Sequence, residues 1–379
     1  MSKICIWGAS LNKVDDEAQL IAAVSLIQRR FPSTQITFFS NYGKQLVNFL
    51  AKEGVAVEVI TTPHLGRVAR SIKSAKLFLI MGGVLFEAPL QALRGAILVS
   101  IAKARRCPVV AWQLSVFPQT TRWGKFLYKI IFGQMDLICA REPIGAEIIE
   151  RLGVSRSIRV STDSRLTLEP CSGAEVRTLL SEEGIDHHQP LIGLSTRHVH
   201  AQMPQWVKRT HSYADQVAEQ ANDALARVVA HLGKLAQVVV IPMHPTYRED
   251  QCAFEMVCRY MDDPGRLRLL SHRYSAREIM GIIAQCDLLL ASRLGSAVFA
   301  AVTKTPMIAI AYEPRMLDHM VRIGLGNYVF DWRQLNADAV ITAIDRVWRA
   351  PRPRGNNELV AGLKAQAEAS ADTLSAFLS

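Results

Sequence analysis

The sequence predicts an α/β protein: two doubly wound, Rossmann-like domains facing a cleft. Three observations carry this. Short runs such as Leu77–Met81, Gln237–Ile241 and Leu288–Ala291 alternate with helical segments along the whole chain. The runs are mostly apolar end to end, as strands of a parallel sheet covered on both faces must be. The alternation pauses once, in the more polar stretch Thr162–Pro190 with Pro170, Gly173, Gly184 and Pro190, and then restarts. A chain of 379 residues with 49% apolar content suits two cores better than one. The expected domains are 1–168 and 169–350, with a helix over 351–379 that can pack back on the first. A cleft between two such halves is the default ligand site.

In the first half, strand Lys3–Trp7 ends in Gly8-Ala9-Ser10, and a helix over Glu17–Arg30 follows. Strand Gln35–Ser40, helix Lys44–Lys52 and strand Val55–Ile60 come next. Strand Leu77–Met81 stops at Gly82-Gly83. A helix over Leu90–Arg105, strand Pro108–Trp112 and a loop from Gln113 to Thr121 follow. Helix Trp123–Gly133, strand Asp136–Ala140, helix Pro143–Leu152 and strand Ser157–Val160 complete the half.

The second half opens on strand Leu191–Ser195, which ends at Thr196-Arg197-His198. After helix Asp215–Leu232, strand Gln237–Ile241 ends at Met243-His244-Pro245. Helix Glu249–Tyr260, strand Arg266–Leu270 and helix Ala276–Gln285 lead to strand Leu288–Ala291. That strand delivers Ser292, Arg293 and Leu294 to a turn expected at Gly295, before a small-residue helix from Ser296 to Val302. Strand Met307–Ala311 ends at Tyr312-Glu313-Pro314-Arg315. Helices Ala337–Arg349 and Asn357 onward close the chain.

Several functions are disfavoured. No run reaches the roughly 18 apolar residues of a membrane span, and the N-terminus lacks the pattern of a signal peptide. The expectation is a cytoplasmic protein. Seven cysteines without a CxxC pair read as reduced thiols, with neither a disulfide framework nor a metal site expected. No P-loop, GxGxxG, GxSxG or HExxH is present. The net charge of +10 belongs to the first half: residues 1–168 carry 22 Lys and Arg against 11 Asp and Glu, the remainder 22 against 23. A basic half can meet nucleic acid, anionic lipid or an anionic sugar. Without a nucleic-acid motif or interleaved aromatics, nucleic acid is the weakest of these. The helix RWGKFLYKIIF, Arg122–Phe132, is basic and aromatic in its first turns. It can rest on anionic head groups, but packing of Phe126, Ile130 and Phe132 in the core is the favoured reading.

Ligands of open parallel sheets sit beyond the carboxyl ends of the strands. Three strand ends of the second half carry cationic or ionisable groups: Arg197 with His198 and His200, His244, and Arg293. Arg197, His244 and Arg293 are the candidate catalytic set. Guanidinium matches carboxylate and phosphate with two parallel hydrogen bonds, and histidine exchanges a proton near neutrality. Ser292, Leu294, Gly295, Tyr312 and Arg315 are candidate substrate contacts at the same edge. The first half offers Gly82, Gly83, Glu87 and Gln113. Each also has an ordinary reading: a turn glycine, a surface acid, a structural arginine.

Taken in order, the blocks NKVDDEAQL, LFLIMGGVLFE, VVAWQLSVFPQ, MDLICAREPIGAEIIERLGV, LIGLSTR, VVVIPMHP and CDLLLASRLGSAVFAAVTKTPMIAIAYEPR resemble the bacterial polysaccharide pyruvyl transferase family, over nearly the full chain. Asp163 stands at the family's aspartate. The resemblance implies a fold similar to B-type glycosyltransferases. It also implies transfer of pyruvate from phosphoenolpyruvate, as a ketal, onto a sugar of a surface polysaccharide or its lipid-linked precursor. Arg197 and Arg293 would hold the donor's phosphate and carboxylate, and no cofactor is required. The acceptor would lie on the basic half, which could also touch the inner membrane peripherally. The family's Arg-Leu-His motif reads Arg293-Leu294-Gly295 here, Phe117 replaces a usual glycine and Arg315 a usual lysine. Two alternatives stand beside this one: a glycosyltransferase of the same shape using a nucleotide sugar, and a sugar-binding homologue without catalysis.

Overall fold

The computed structural model of the protein describes residues 2–8, 13–40, 47, 50–51, 53–55, 57–62, 64–82, 89–116, 121–196, 211–243, 248–259, 263–271, 274–349 and 354–378. The chain forms two compact units. One comprises Met1–Leu11, Asp16–Thr167 and Gly362–Ser379; the other comprises Asn12–Asp15 and Leu168–Ala361.

The first unit holds a seven-stranded parallel sheet in the order β3-β2-β1-β4-β5-β6-β7. The strands are β1 (Lys3–Trp7), β2 (Gln35–Ser40), β3 (Glu58–Thr61), β4 (Leu77–Gly82), β5 (Val109–Leu114), β6 (Leu137–Ala140) and β7 (Ile158–Val160). Helices α1 (Val14–Arg30), α2 (Leu65–Lys73), α3 (Pro89–Ala104), α4 (Arg122–Gly133) and α5 (Pro143–Arg151) connect them. Cys5, Trp7, Phe39, Phe78, Ile80, Val109 and Ala111 form one core cluster with residues of α2, α3, α4 and α5. Trp112, one residue out of phase with Ala111, points to the opposite face. There its indole N–H donates to the backbone oxygen of Ser370 (3.1 Å).

The second unit repeats the design. Its six parallel strands run β10-β9-β8-β11-β12-β13: β8 (Leu191–Ser195), β9 (Gln237–Val240), β10 (Leu267–Leu269), β11 (Leu288–Ala291), β12 (Met307–Ala311) and β13 (Val329–Asp331). Its helices are α6 (Gly173–Glu182), α7 (His211–Leu235), α8 (Arg248–Cys258), α9 (Ala276–Ala284), α10 (Leu294–Thr303), α11 (Pro314–Arg322), α12 (Ala337–Arg349) and α13 (Asn357–Ser370), which runs on into the first unit; α14 (Ser375–Leu378) belongs to the first unit. Ser172 and Ser275 each close a capping box with a glutamate three residues on, which fixes where α6 and α9 begin. Both sheets reverse direction once, between β1 and β4 and between β8 and β11. Such switch points open the crevice where doubly wound folds bind ligands.

Some local expectations need correcting. Helix α2, helix α11 and the three-residue edge strand β13 were not apparent from the periodicity, and β3 lies at Glu58–Thr61 rather than Val55–Ile60. Most of the helix expected over Lys44–Lys52 lies outside the described residues. There is no turn at Gly295: Arg293 is the extended N-cap residue and α10 begins at Leu294, so Gly295 is buried in the first helical turn. In α4 the stripe that meets the sheet is Leu127, Tyr128, Ile131 and Phe132, and Phe126 is exposed. No helix among the described residues is long and apolar enough to cross a membrane.

Candidate functional site

The strand order places the candidates of the second half on four neighbouring strand ends, β9, β8, β11 and β12. Arg197, His198 and His200 follow β8, and His244 follows β9, but these four lie outside the described residues, as do Gly83 and Glu87 in the first unit. The described part of the edge is built around Arg293. Strand β11 runs beside β8 with Ala291 opposite Ser195, and Ser292 N donates to Ser195 O (2.7 Å). The chain then passes without a loop into α10.

Arg293 is buried. Its Nε donates to Thr196 O (3.1 Å) and its Nη2 to Asp250 Oδ1 (2.6 Å). Asp250, in the first turn of α8, accepts at its other oxygen from Met243 N (3.0 Å). One carboxylate thus ties the segment after β9 to the arginine after β11, and that arginine holds the segment after β8. Charge-assisted contacts of this kind are the strong ones. Ser296 donates to Arg293 O (2.8 Å) and shares a hydrogen bond with Ser195 Oγ.

Two hydroxyls at this edge are not used. Ser292 Oγ and Thr196 Oγ1 are buried and make no hydrogen bond to any described residue. Both belong to residues that immediately follow adjacent strands: Thr196 is the residue whose carbonyl Arg293 engages, and Ser292 immediately precedes Arg293. The first-turn amides of a helix have no intrahelical acceptor, and α10 starts at the same point. Farther along, Tyr312 stacks on Trp332 (centroids 5.6 Å apart, planes 16° from parallel), and Arg315 pairs with Glu313 (2.6 Å). The four strand ends therefore combine a buried cation, two unpartnered hydroxyls and a helix N-terminus, a combination suited to an anion.

The first unit's edge is arranged differently. At its switch point β1 and β4 run into Gly8 (φ 142°) and Gly82 (φ 119°), a left-handed backbone that a side chain disfavours. Glycine there lets a ligand approach the main chain. Gln113, at φ 52°, carries unusual backbone strain for a non-glycine residue. Its side chain donates to Ser370 Oγ (2.8 Å) and accepts from Ser164 N (3.0 Å), and its carbonyl accepts from Gln19 Nε2 (3.3 Å). The amide expected to bind substrate is committed to the unit's interior at both its oxygen and its nitrogen.

Beside Gln113 lies a buried set of four charges, Arg141, Glu142, Asp163 and Arg165, of which the family resemblance had marked Asp163. Arg141 Nε donates to Glu142 (2.6 Å), and its Nη1 lies 3.7 Å from Asp163. Arg165 forks onto both oxygens of Asp163 (2.6–3.0 Å), and Ser115 donates to Glu142 (2.9 Å). Burial alone would raise the Asp163 carboxyl, but the Arg165 and Arg141 guanidiniums and the hydrogen bonds from Arg165 hold it below the usual carboxylate range. Asp250 and the pairings of this network are not legible in the sequence, because an acid in a polar stretch shows no local sign that folding will bury it or with what. Among the described residues no three His, Cys, Asp or Glu side chains converge as metal ligands do.

The overall fold has known counterparts. The UDP-GlcNAc 2-epimerase of Methanocaldococcus jannaschii superposes with a TM-score of 0.67 at 13% identity, covering 99% of this chain and 100% of that one. The UDP-GlcNAc 2-epimerase of Neisseria meningitidis, bound to UDP-GlcNAc, gives 0.62 at 10% identity with 100% and 99% covered. HepE of Anabaena, in complex with UDP and glucose, gives 0.62 at 16% identity with 99% and 100% covered. At these identities the likeness concerns the fold alone, two parallel-sheet α/β units as in B-type glycosyltransferases. No curated protein matches the sequence. Residues 16–314, however, match the polysaccharide pyruvyl transferase family, from α1 through the four strand ends around Arg293. That match spans most of both sheets, and the chain belongs to the polysaccharide pyruvyl transferase family of transferases.

Proposed function

We propose that the protein moves pyruvate from phosphoenolpyruvate onto two hydroxyls of a sugar in a surface polysaccharide or its lipid-linked precursor. The observation that carries this reading is the pair of buried, unpartnered hydroxyls, Ser292 Oγ and Thr196 Oγ1, beside Arg293 at the start of α10. Unused buried hydroxyls next to a cation are what a phosphorylated donor would satisfy. Arg293, itself paired with Asp250, would hold the donor's anionic group, and through Asp250 and Thr196 it ties together Met243 and Thr196, the residues that precede His244 and Arg197 in the chain. Arg197 is the second anion ligand in this scheme.

The chemistry needs one proton delivered and two removed. Protonation of the donor's methylene carbon makes the neighbouring carbon cationic. A sugar hydroxyl adds there and loses its proton, phosphate departs with its bonding electrons, and the second hydroxyl closes the ketal with loss of its own proton. Gly295 leaves α10 without the family motif's imidazole, so His198, His200 or His244 serves as the proton carrier. The acceptor would take the glycine-lined edge of the first unit, and the protein would work in the cytoplasm, where phosphoenolpyruvate is made.

Incubation with phosphoenolpyruvate and lipid-linked oligosaccharide is expected to release phosphate and add a pyruvyl group to the acceptor, read by mass. Absence of phosphate release with every acceptor, together with no calorimetric binding of phosphoenolpyruvate, would refute the proposal. A nucleotide-sugar donor is the second reading, favoured by the start of α10, which suits a diphosphate. Thermal stabilisation by a UDP-sugar and none by phosphoenolpyruvate would select it.

A further inference from the structure

We propose that α3 and α4 form a docking surface for an anionic lipid bilayer. Large apolar side chains on a solvent face call for an explanation when they cluster. Trp123 and Phe126 on α4 are 59% and 53% exposed, and their rings stack with centroids 5.5 Å apart. Leu93 and Ile97, 44% and 41% exposed, repeat the pattern on α3, which packs directly against α4. The core does not need them. It takes the other stripe of each helix, Leu98, Val99 and Ala102 from α3 and Leu127, Tyr128, Ile131 and Phe132 from α4.

Charge selects the partner. Between Glu58 and Asp136 the one acidic residue is Glu87, against eleven Lys and Arg. Neither α3 nor α4 contains an Asp or Glu. Arg94, Arg122, Lys125 and Lys129 are exposed on these helices, and none of them is in an ion pair among the described residues. Aromatic rings flanked by unpaired cations, without acids, complement an interface of apolar chains beneath negative head groups. A protein partner would be expected to answer some of these cations with acids of its own. A bilayer needs no such fit. The inference goes beyond the transfer reaction proposed above and does not depend on it, because lipid binding is read without turnover.

The test is sedimentation of the full-length protein with vesicles of phosphatidylcholine alone and of phosphatidylcholine mixed with phosphatidylglycerol. The protein should pellet with the mixed vesicles only, and less so as salt shortens the screening length. Trp123→Ser with Phe126→Ser should lower the partition coefficient about tenfold or more. Lys125→Glu with Lys129→Glu should lower it by a similar factor. Both pairs are exposed, so circular dichroism and thermal unfolding should match the parent protein. Equal binding to both vesicle types, no binding, or binding unchanged in both variants overturns the proposal. So does an oligomer in solution that Trp123→Ser with Phe126→Ser splits while vesicles are left unbound, since the face would then serve a second copy of the chain.

Discussion

The two units share the order of six strands, the first adding β7 at its edge, yet finish their switch points in opposite ways. In the first, β1 and β4 end in Gly8 and Gly82, both with positive φ. In the second, β8 and β11 end in Thr196 and in Ser292 and Arg293. One edge offers bare main chain; the other offers two unpartnered hydroxyls beside a guanidinium that Asp250 pairs. The first unit does own buried charges, Arg141, Glu142, Asp163 and Arg165, but these neutralise each other two and three strands away from the switch point. The lesson is that charge alone does not mark a binding edge. What distinguishes the second unit's edge is polar capacity left over at the switch point once the local pairing is complete.

The largest expected effect tests whether the first unit's charges are structural. Asp163→Asn breaks a buried, doubly forked pair and should destabilise the fold by about 3–5 kcal/mol. The native carboxyl is held low, so its contribution is complete above the unfolded value near ~3.9 and fades as pH falls toward the depressed native value. Urea unfolding of the two proteins should therefore differ most at neutral pH and converge in acid. A change in donor affinity without loss of stability would reverse the assignment.

Asp250→Asn is next. An amide can accept from only one of Arg293 and Met243 N, so the segments after β8, β9 and β11 lose their common tie. A loss of about 2–3 kcal/mol in transition-state stabilisation, ~30- to 160-fold in kcat/KM, is expected. Steady-state phosphate release measures it. Gly82→Ala should cost about 1–3 kcal/mol in stability, because φ 119° is strained for any side chain. If that edge receives the acceptor, acceptor KM should rise while phosphoenolpyruvate affinity stays the same.

Ser292→Ala gives the smallest effect and the sharpest contrast. Removing an unpartnered hydroxyl should leave stability within about 0.5 kcal/mol. Donor binding by calorimetry should weaken about tenfold, equivalent to ~1.4 kcal/mol. Unchanged affinity would remove Ser292 from the site.

Architecture was legible where it rests on short-range pattern. The run Leu288–Ala291 is a strand of that extent, and the restart after Pro190 marks a second sheet. Edge strand β13, three residues long, has too little pattern to register. Helix α4 carries two apolar stripes, and only the fold decides that Leu127 and Tyr128 go inward and Phe126 outward. Arg293 was visible because it ends an apolar strand. Asp250, 43 residues upstream, was not, because the pairing exists only after β9 and β11 are brought near one another. Gln113 stood out by its place at a strand end, but its partners Ser164 and Ser370 come from remote segments.

Ser370 has one more consequence. The first unit takes its final pieces from Gly362 onward: Ser370 receives Trp112 and Gln113, Asp372 pairs with Arg30, and the Leu378 carbonyl accepts from Lys76 (3.4 Å). A ribosome makes residues 168–361 before any of these. Until that segment is made, Trp112 and Gln113 lack these partners. The half that begins the chain is closed by a segment from beyond the second unit, so a released chain truncated near residue 361 should hold one protease-resistant unit and one that is still digested.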